Sequence, residues 1–413
     1  MTDRMEWREY EARRDREPVR RMYRECGWLD KGKEGALDAA LRGGRALVAE
    51  VDGEAECMVH TVSGTMRYLE AEVPAGYVVS VTTSRIARKR GLASRLAAEA
   101  VARDVADGAF LSCLGVFEQG YYDRLGFGTG GYELVYAFDP AELVVDASPR
   151  VPRRVSPADW RAAHAARLGR RRGHGSANLT DPETTHSEML WAKEGFGLGY
   201  TDAPRGGLSH YLWCDAKEAE HGPYAVSSLV FRTREELLEL VALLRTIGDQ
   251  VRLVRMVEPP GIQLQDLFPR PFRSRQRSER GRFETKVTAG AFWQARICDL
   301  AGCLTATCLE GDPVRFNLIL TDPIESLLPA KAPWRGVAGT YVVTLGPVSS
   351  AEAGRRRGLP TLSADVGAFT RAWLGVRPAS GLAMTDELSG PERLLADLDR
   401  VLRLPQPKPD WDF

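Results

Sequence analysis

The stretch that decides the fold is Val79–Ser94, which reads VSVTTSRIARKRGLAS. It begins inside Tyr77–Val81, a run rich in β-branched residues that predicts a buried strand. It ends inside Gly91–Val105, where Leu, Val and Ala recur on one face at helical spacing and predict an amphipathic helix. Between the two lies a loop with three consecutive basic residues, Arg88–Arg90. The sequence therefore predicts a strand that runs through a basic loop directly into a helix.

The loop and the start of the helix have the properties of an anion-binding site. The first turn of a helix presents unpaired N–H groups and the positive end of the helix dipole, which attract a phosphate group. Gly91 lets the backbone approach the anion closely, and Arg88–Arg90 supply positive charge around it. We therefore predict that this segment binds a pyrophosphate.

Two other segments match the same short pattern and serve as controls. Arg170–Gly175 (RRRGHG) follows a predicted helix and leads into the loop-like Ser176–Pro182. Arg355–Pro360 (RRRGLP) follows the polar Ser349–Gly354 and does not lead into the start of an amphipathic helix. Because neither has a strand before it and a helix after it, we predict that both are basic turns at the surface.

The residues on either side of the deciding stretch complete a mixed α/β unit. An amphipathic helix is predicted ahead of the first strands, and Asp52–Gly53 is a strong signal for a β-hairpin. A second apolar strand follows the Gly91–Val105 helix, and a further strand is expected to close the sheet. These elements are the helix Arg13–Cys26 and the strands Arg45–Val51, Cys57–Val62, Phe110–Val116 and Tyr132–Phe138.

The length of 413 residues exceeds what one hydrophobic core usually organises, so two or three domains are expected. Asp139–Arg154 contains three prolines and predicts the first boundary, and the helix Ser156–Leu168 opens a second domain. Strand-like and helical patterns after Lys286 predict a third domain. We predict an α/β (α+β) fold with domains at residues 1–148, 149–285 and 286–413.

The composition is that of a globular protein and excludes several classes of function. Hydrophobic residues make up 44% and charged residues 27%. The 56 basic and 56 acidic residues cancel, so no net field attracts nucleic acid or a membrane surface. The seven cysteines and six histidines include neither a CxxC pair nor a histidine pair at i, i+4, so we expect no disulfide framework and no metal site. No secretory signal or membrane span is visible in the sequence, so we expect a cytoplasmic protein.

A second motif follows the next predicted strand and narrows the interpretation. Tyr121–Gly128 reads YYDRLGFG. Together with the Arg-x-x-Gly-x-Ala pattern at Arg88–Ala93, it resembles the acyl-CoA elements of GNAT acetyltransferases, in the same order and at a similar separation. With the chain end Asp410–Phe413 (DWDF) added, the sequence resembles the enhanced-intracellular-survival (Eis) family. This resemblance implies two GNAT-like domains of which the second is degenerate, a sterol-carrier-protein-like third domain, and a homo-oligomer, which is a hexamer in that family.

The resemblance also implies roles for individual residues. The family's general acid matches Tyr122, and its general base, the carboxylate of the last aromatic residue, matches Phe413. Trp28 and Asp412 are candidates for the acceptor pocket, although Trp28 fits an ordinary core position equally well. The implied contacts to CoA are Val81, Thr82, Thr83, Arg88, Lys89, Arg90, Gly91, Leu92, Ala93, Ser94, Phe117 and Glu118. Phe117 departs from the family, where small polar residues are common at that position.

The implied reaction is transfer of an acetyl group from acetyl-CoA, or of another acyl group, to a primary amine. The acceptor is a small molecule such as an aminoglycoside or a polyamine, or a lysine. The alternative is a non-enzymatic module that binds acyl-CoA or lipid, in which Tyr122 is only a half-buried aromatic and Phe413 a frayed chain end. The third domain either binds lipid or is a scaffold that brings Phe413 to the first domain, and we favour the scaffold.

Overall fold

The structure is a computed structural model that describes residues 5–118, 120–203 and 206–413. Its strands, numbered along the chain, are β1 (Met5–Glu9), β2 (Arg45–Val51), β3 (Glu54–Tyr68), β4 (Ala71–Thr83), β5 (Leu111–Gly115), β6 (Gly128–Thr129), β7 (Glu133–Phe138), β8 (Arg153–Val155), β9 (Ala177–Leu179), β10 (Gly195–Tyr200), β11 (His210–Asp215), β12 (Tyr224–Val230), β13 (Val254–Val257), β14 (Lys286–Gly290), β15 (Trp293–Ile297), β16 (Val314–Thr321), β17 (Gly339–Leu345), β18 (Ser350–Ala353), β19 (Thr361–Asp365) and β20 (Leu388–Ser389). Its helices are α1 (Ala12–Cys26), α2 (Glu34–Ala40), α3 (Leu92–Ala106), α4 (Trp160–Leu168), α5 (Pro182–Trp191), α6 (Arg234–Thr246), α7 (Pro271–Ser278), α8 (Leu300–Thr305), α9 (Val366–Trp373), α10 (Ala379–Thr385) and α11 (Glu392–Val401). In the described part of the chain, none of these helices combines the length and the apolar character needed to cross a membrane.

The described strands form three mixed sheets. The first runs β1-β2-β3-β4-β5-β15-β6, and β9 pairs with β3 beside this path. The second runs β14-β7-β13-β12-β11-β10-β8, and the third runs β18-β17-β16-β19-β20. Each sheet contains one parallel pair among antiparallel neighbours, which is β4 with β5, β12 with β13, and β16 with β19. The predicted mixed α/β fold is confirmed.

The local elements around the deciding stretch form as the sequence predicts. The strand β4 leads through a loop into α3, and Gly91 stands at the junction. The hairpin of β2 and β3 turns at Asp52 and Gly53, whose φ angles of 53° and 93° suit a tight two-residue turn. The strands β3 and β4 extend well beyond the segments that the sequence predicts, because they pair with each other from Cys57 to Tyr68.

One predicted strand lies in another sheet. The prediction that Tyr132–Phe138 closes the first sheet is wrong, because β7 pairs with β13 and β14 in the second sheet. Its expected place is filled by β15, which pairs with β5 on one side and β6 on the other. Both strands are short and largely apolar, and strand propensity does not specify a partner. Strands therefore connect the predicted regions across residues 148 and 286, and the domain boundaries stay a prediction.

Two units of strand, helix and parallel strand share one topology, namely β4-α3-β5 and β12-α6-β13. In the first unit, the pairing of β4 with β5 covers only Ala75–Val78, although β4 continues to Thr83. In the second unit, the pairing of β12 with β13 covers only Tyr224–Val226, although β12 continues to Val230. Because pairing ends before the strands do, each unit has an opening at the carboxyl end of its parallel pair.

One hydrophobic core extends under the first and third sheets. Tyr68 of β3 stacks on Trp373 of α9 with ring centroids 4.4 Å apart, and its hydroxyl donates to the Trp373 carbonyl at 3.0 Å. Trp411, close to the chain end, is buried in the same core. The third sheet and its helices are therefore packed firmly against the first sheet. The tail that follows α11 begins from a fixed position as a result.

Candidate active site

A cavity of about 1780 Å³ lies where β4 and β5 separate. The carboxyl ends of these strands and the start of α3 form one wall. Residues Val226–Val230 and Val257 of the second β-α-β unit, together with α5, form another. The chain end, Pro409–Phe413, forms a third. A large concave site at which separate parts of a chain meet is the best candidate for an active site.

The start of α3 is accessible to an anion. Gly91 precedes the helix with a φ of 75°, and Lys89 also has a left-handed backbone, with a φ of 62°. No side chain caps the helix at Gly91, and a Cβ at this position would meet no described atom within 4 Å. The first turn of α3, whose residues line the cavity, therefore has no side-chain cap at Gly91, which leaves the positive end of the helix dipole available to an anion. This is the arrangement that the sequence predicts for a pyrophosphate site.

Most of the predicted CoA contacts line this cavity. Arg90 is exposed and lies outside the lining. Phe117 is 80% exposed, and its ring lies 6.0 Å from that of Trp28, which lines the cavity as well. The predicted contacts found in the lining are Val81, Thr82, Thr83, Arg88, Lys89, Gly91, Leu92, Ala93, Ser94, Phe117 and Glu118.

Tyr122 lies in the cavity wall with 8% of its surface exposed. Its main-chain carbonyl accepts hydrogen bonds from the N–H groups of Leu125 at 2.9 Å and Phe127 at 3.3 Å, which closes a tight turn. Its ring meets that of Tyr121 edge-on at 4.8 Å. Burial, and to a lesser extent Tyr121, raises the pKa of the Tyr122 hydroxyl above its ordinary value. The phenol is therefore protonated at neutral pH and able to donate its proton.

Residues from the predicted third domain, 286–413, hold the turn that begins at Tyr122. Arg296 of β15 is fully buried and donates to the carbonyl of Leu125 within that turn. Its guanidinium also pairs with the buried Asp322 at 2.6 Å. Breaking such a pair would leave a buried charge uncompensated, so the pair fixes the geometry around it. Sequence reasoning missed both residues, because their position depends on the insertion of β15 beside β5.

Phe413, the last residue of the sequence, lies where the two strands separate. Its ring meets Tyr77 of β4 edge-on at 4.8 Å. Its carboxyl oxygen lies against Gly115, the last residue of β5, so closely that a Cβ at Gly115 would overlap it. A glycine at the end of an apolar strand can signal close approach by another backbone. Sequence reasoning misses this signal at Gly115. The carboxyl group of Phe413 and the side chain of Tyr122 thus belong to one cavity.

Acidic and basic side chains both line the cavity near the chain end. Glu133 of β7, Glu188 of α5, Asp410 and Asp412 all line it. Burial, reinforced by the charges of Asp412 and Asp410, raises the pKa of Glu133 to about 7. Burial likewise raises the pKa of Glu188 and of Asp412, which lies deep in the cavity although solvent reaches it. Arg167 and Arg170 line the same wall and pair with Glu188 and Asp410, so Glu133 and Asp412 are the two of these carboxylates that would attract a cationic group. Of these residues, only Asp412 was a candidate from the sequence.

One group of side chains in the described part of the chain has the ligand types of a metal site. Potential ligand atoms of Asp202, His210 and Glu239 lie within 4.8 Å of one another. Arg150 donates to both carboxylates, at 2.6 Å to Asp202 and at 2.7 Å to Glu239. The guanidinium already supplies the positive charge that a cation would bring, so we interpret the group as an ion-pair network.

The two segments that served as controls for the basic motif differ from each other. The prediction that Arg170–Gly175 is a surface turn is wrong, because Arg170 and His174 are only 6% and 5% exposed. Both are covered by the chain end, and Asp410, the partner of Arg170, is 240 residues away. A local pattern carries no information on such a distant contact. Arg355–Gly358 is exposed, which confirms the prediction of a surface turn there.

Comparison with known proteins places the first domain in a family. Residues 20–130 match the family model described as acetyltransferase (GNAT) domain. No curated protein matches the sequence. The match covers both motifs, the basic loop before α3 and the turn at Tyr122.

Several solved structures share the fold over the full length. A probable N-acyltransferase from Enterococcus faecalis is 16% identical and superposes with a TM-score of 0.77 over 100% of both chains. A GCN5-related N-acetyltransferase from Kribbella flavida is 18% identical, with a TM-score of 0.73 over 100% of this chain and 99% of that one. Eis1 from Mycobacterium abscessus is 17% identical, with a TM-score of 0.73 over 99% of this chain and 100% of that one. Residues 20–130 therefore match a GNAT acetyltransferase domain, and the chain as a whole has a fold like that of Eis1.

Proposed function

We propose that the protein transfers the acetyl group of acetyl-CoA to a primary amine, with Tyr122 as general acid and the carboxylate of Phe413 as general base. The acceptor is a small polyamine-like or aminoglycoside-like molecule, or a lysine side chain. The observation that carries the proposal is the seat of the Phe413 carboxyl against Gly115, in the cavity that Tyr122 also lines.

The first β-α-β unit fits the CoA moiety. The uncapped start of α3 suits the pyrophosphate, and Arg88 and Lys89 beside it supply positive charge. The unpaired end of β4, Val81–Thr83, offers backbone groups to the pantetheine amides, since no strand of the same sheet pairs with it on the side of β5. Such N–H groups also polarise the thioester carbonyl.

The chemistry then needs two proton transfers. The neutral amine attacks the carbonyl carbon of the thioester, a C–N bond forms, and the C–S bond breaks. The carboxylate of Phe413, which lines the cavity, takes the proton that the amine loses. Tyr122 gives its proton to the departing thiolate, since a phenol is protonated at neutral pH.

The cavity indicates the class of acceptor. Its volume of about 1780 Å³ exceeds what a pantetheine arm fills, so room remains for a second molecule. Glu133 and Asp412, two wall carboxylates that Arg167 and Arg170 do not pair with, favour an acceptor with more than one positive charge. A polyamine-like or aminoglycoside-like compound has this character.

The third region acts, in this proposal, as a scaffold. It contributes β15 to the catalytic sheet, holds the Tyr122 turn through Arg296, and carries the tail that ends in Phe413. Its interpretation as a sterol-carrier-like domain and the expected homo-oligomer rest on the family resemblance, and sedimentation velocity would measure the oligomeric state.

The proposal is tested by incubating the protein with acetyl-CoA and a panel of polyamines, aminoglycosides and lysine peptides while thiol release is followed. We expect release well above the background hydrolysis for at least one polycationic amine. Calorimetry with CoA accompanies the assay. Tight CoA binding without turnover on any amine would favour the binding-module alternative, and absence of CoA binding would contradict the proposal.

A further inference from the structure

We infer that Arg170, together with Glu258 and Glu188, forms a clamp that positions the Phe413 carboxylate for proton transfer. We call these three residues the tail clamp. All of them lie within residues 149–285, the predicted second domain, and all hold the segment that precedes Phe413. The inference rests on the proposed role of that carboxylate, and it gives the buried Arg170–Gly175 turn a function.

Arg170 is the centre of the clamp. Its Nε donates to the Asp410 carboxylate at 2.8 Å, and one Nη2 hydrogen goes to the Asp410 carbonyl at 3.0 Å. The other three N–H groups donate within its own region, to the carbonyls of Arg167 and Ala177 and to the side chain of Asn178. All five donors of the guanidinium are therefore used. The planar group fixes the orientation of the tail as well as its position.

A second attachment lies two residues earlier in the tail. The ammonium group of Lys408 pairs with Glu258 at 2.9 Å, and both side chains are buried. The N–H of Lys408 donates to the carbonyl of His174 at 3.1 Å. At Gly175, a Cβ would lie 2.6 Å from that of Pro407, so only glycine lets the tail pass at this distance.

The third attachment is Trp411, which is 5% exposed. Its indole N–H donates to Glu188 at 2.9 Å, and the guanidinium of Arg167 stacks over its ring at 3.7 Å. Phe413 lies two residues after Trp411, and a chain of two residues reaches about 7 Å at most. The clamp therefore limits the Phe413 carboxylate to a small volume next to Gly115.

Such restraint matters because proton transfer requires hydrogen-bond distance. A displacement of about 1 Å is enough to cost a rate factor on the order of 100. Chain ends are usually mobile, so a base carried on one needs holding. Residues of the predicted second domain hold the tail in place, although the β12-α6-β13 unit lacks a basic loop like that of the β4-α3-β5 unit.

The experiment compares Arg170→Met and Asp410→Asn with Arg171→Met. Arg171 is exposed and neighbours Arg170 in the same turn, which makes it a matched control. We expect both clamp variants to lower kcat about tenfold to hundredfold, with little change in KM for acetyl-CoA, and the control to behave as wild type. Asp410→Asn preserves the shape of the tail and covers the case in which Arg170→Met does not fold, and circular dichroism with CoA calorimetry verifies the fold.

Two further measurements separate this inference from the proposed function. If the clamp acts through Phe413, combining Arg170→Met with deletion of Phe413 will lower kcat no further than the deletion alone. Carboxypeptidase should trim the tail of both clamp variants faster than that of wild type. Equal trimming and unchanged kcat in both clamp variants would overturn the clamp. Wild-type turnover after deletion of Phe413 would instead refute the proposed base, while the trimming rates would still decide whether the clamp holds the tail.

Discussion

The two β-α-β units have the same topology and differ in capping and charge at the start of their helices. In the first, the loop Ser84–Gly91 contains basic residues and leaves α3 uncapped. In the second, Phe231–Thr233 is shorter, and Thr233 caps α6 by accepting from the N–H of Glu236 at 3.3 Å. Glu235 and Glu236 add negative charge to the first turn.

This difference indicates that the proposed anion site depends on the start of the helix and not on the shared topology. Acidic residues in the first turn stabilise α6 through the helix dipole. They also neutralise the positive end of the dipole, which a pyrophosphate would need. The opening of the second unit still lines the cavity through Val226–Val230. The first unit is therefore suited to the cofactor, and the second to the acceptor and the tail.

The largest expected effect comes from removing the carboxylate that lies between the two units. Deleting Phe413, or extending the chain beyond it, should lower kcat by a factor on the order of 100 or more, since a general base contributes about 10²–10⁴. Thiol release under saturating acetyl-CoA measures this change. A tag at the N-terminus is the control and should have no effect. Unchanged turnover in the extended chain would remove Phe413 from the mechanism.

Tyr122→Phe should lower kcat at least about tenfold with little change in CoA affinity, because the phenol donates a proton only after the substrates are bound. Tyr121→Phe is the matched control. It loses the hydrogen bond of Tyr121 with Ser94, at 3.1 Å, and we expect a change of only a few-fold. If the two variants exchanged their effects, Tyr121 would be the acid.

Neutralising the basic loop should weaken acetyl-CoA binding rather than slow the chemistry. We expect Arg88→Ala combined with Lys89→Ala to raise KM for acetyl-CoA about tenfold, since both side chains are exposed, an exposed ion pair contributes about 0.2–1 kcal/mol, and about 1.4 kcal/mol corresponds to a factor of ten. Arg232→Ala, ahead of α6 in the second unit, is the counterpart and should leave KM unchanged. An equal rise of KM in both variants would contradict the contrast between the two units.

The smallest effect concerns stability and pH. The pKa of Glu133 in the folded protein is about 7, above its value of 4.5 in a free carboxyl group. The folded state therefore holds this proton more tightly, and the associated stability is lost as pH rises from about 4.5 to about 7. Glu133→Gln keeps the shape without the charge and should raise Tm by a few degrees at pH 8.5, and by less at pH 5.

The exposed carboxylate Asp312 provides the control for this series. Asp312→Asn should change Tm by the same small amount at both pH values. If Glu133→Gln behaved in the same way, the effect of burial on Glu133 would have to be reconsidered.

The sequence predicts what depends on neighbours along the chain. The strand, loop and helix around Gly91 are encoded within Tyr77–Val105, and the structure shows them there. The turn at Asp52–Gly53 is equally local. Most predicted CoA contacts share one cavity for the same reason, because they lie on one continuous segment and the strand next to it.

Features that depend on distant partners could not be predicted. The first sheet contains β15 in the place predicted for β7, because β15 pairs with β5 from more than a hundred residues away. Nothing in the local pattern of either strand specifies its partner. The basic turn at Arg170 has the composition of a surface loop, and only contact with Asp410 buries it. Sequence reasoning misses Glu133 as a cavity residue because it places β7 in the first sheet.

The most direct measurement is a crystal structure with CoA bound. We predict the pyrophosphate at the start of α3, next to Arg88 and Lys89, and the sulfur in the cavity that Tyr122 and the Phe413 carboxyl line. CoA bound at the start of α6, or a sulfur in a different cavity from Tyr122 and Phe413, would contradict the account.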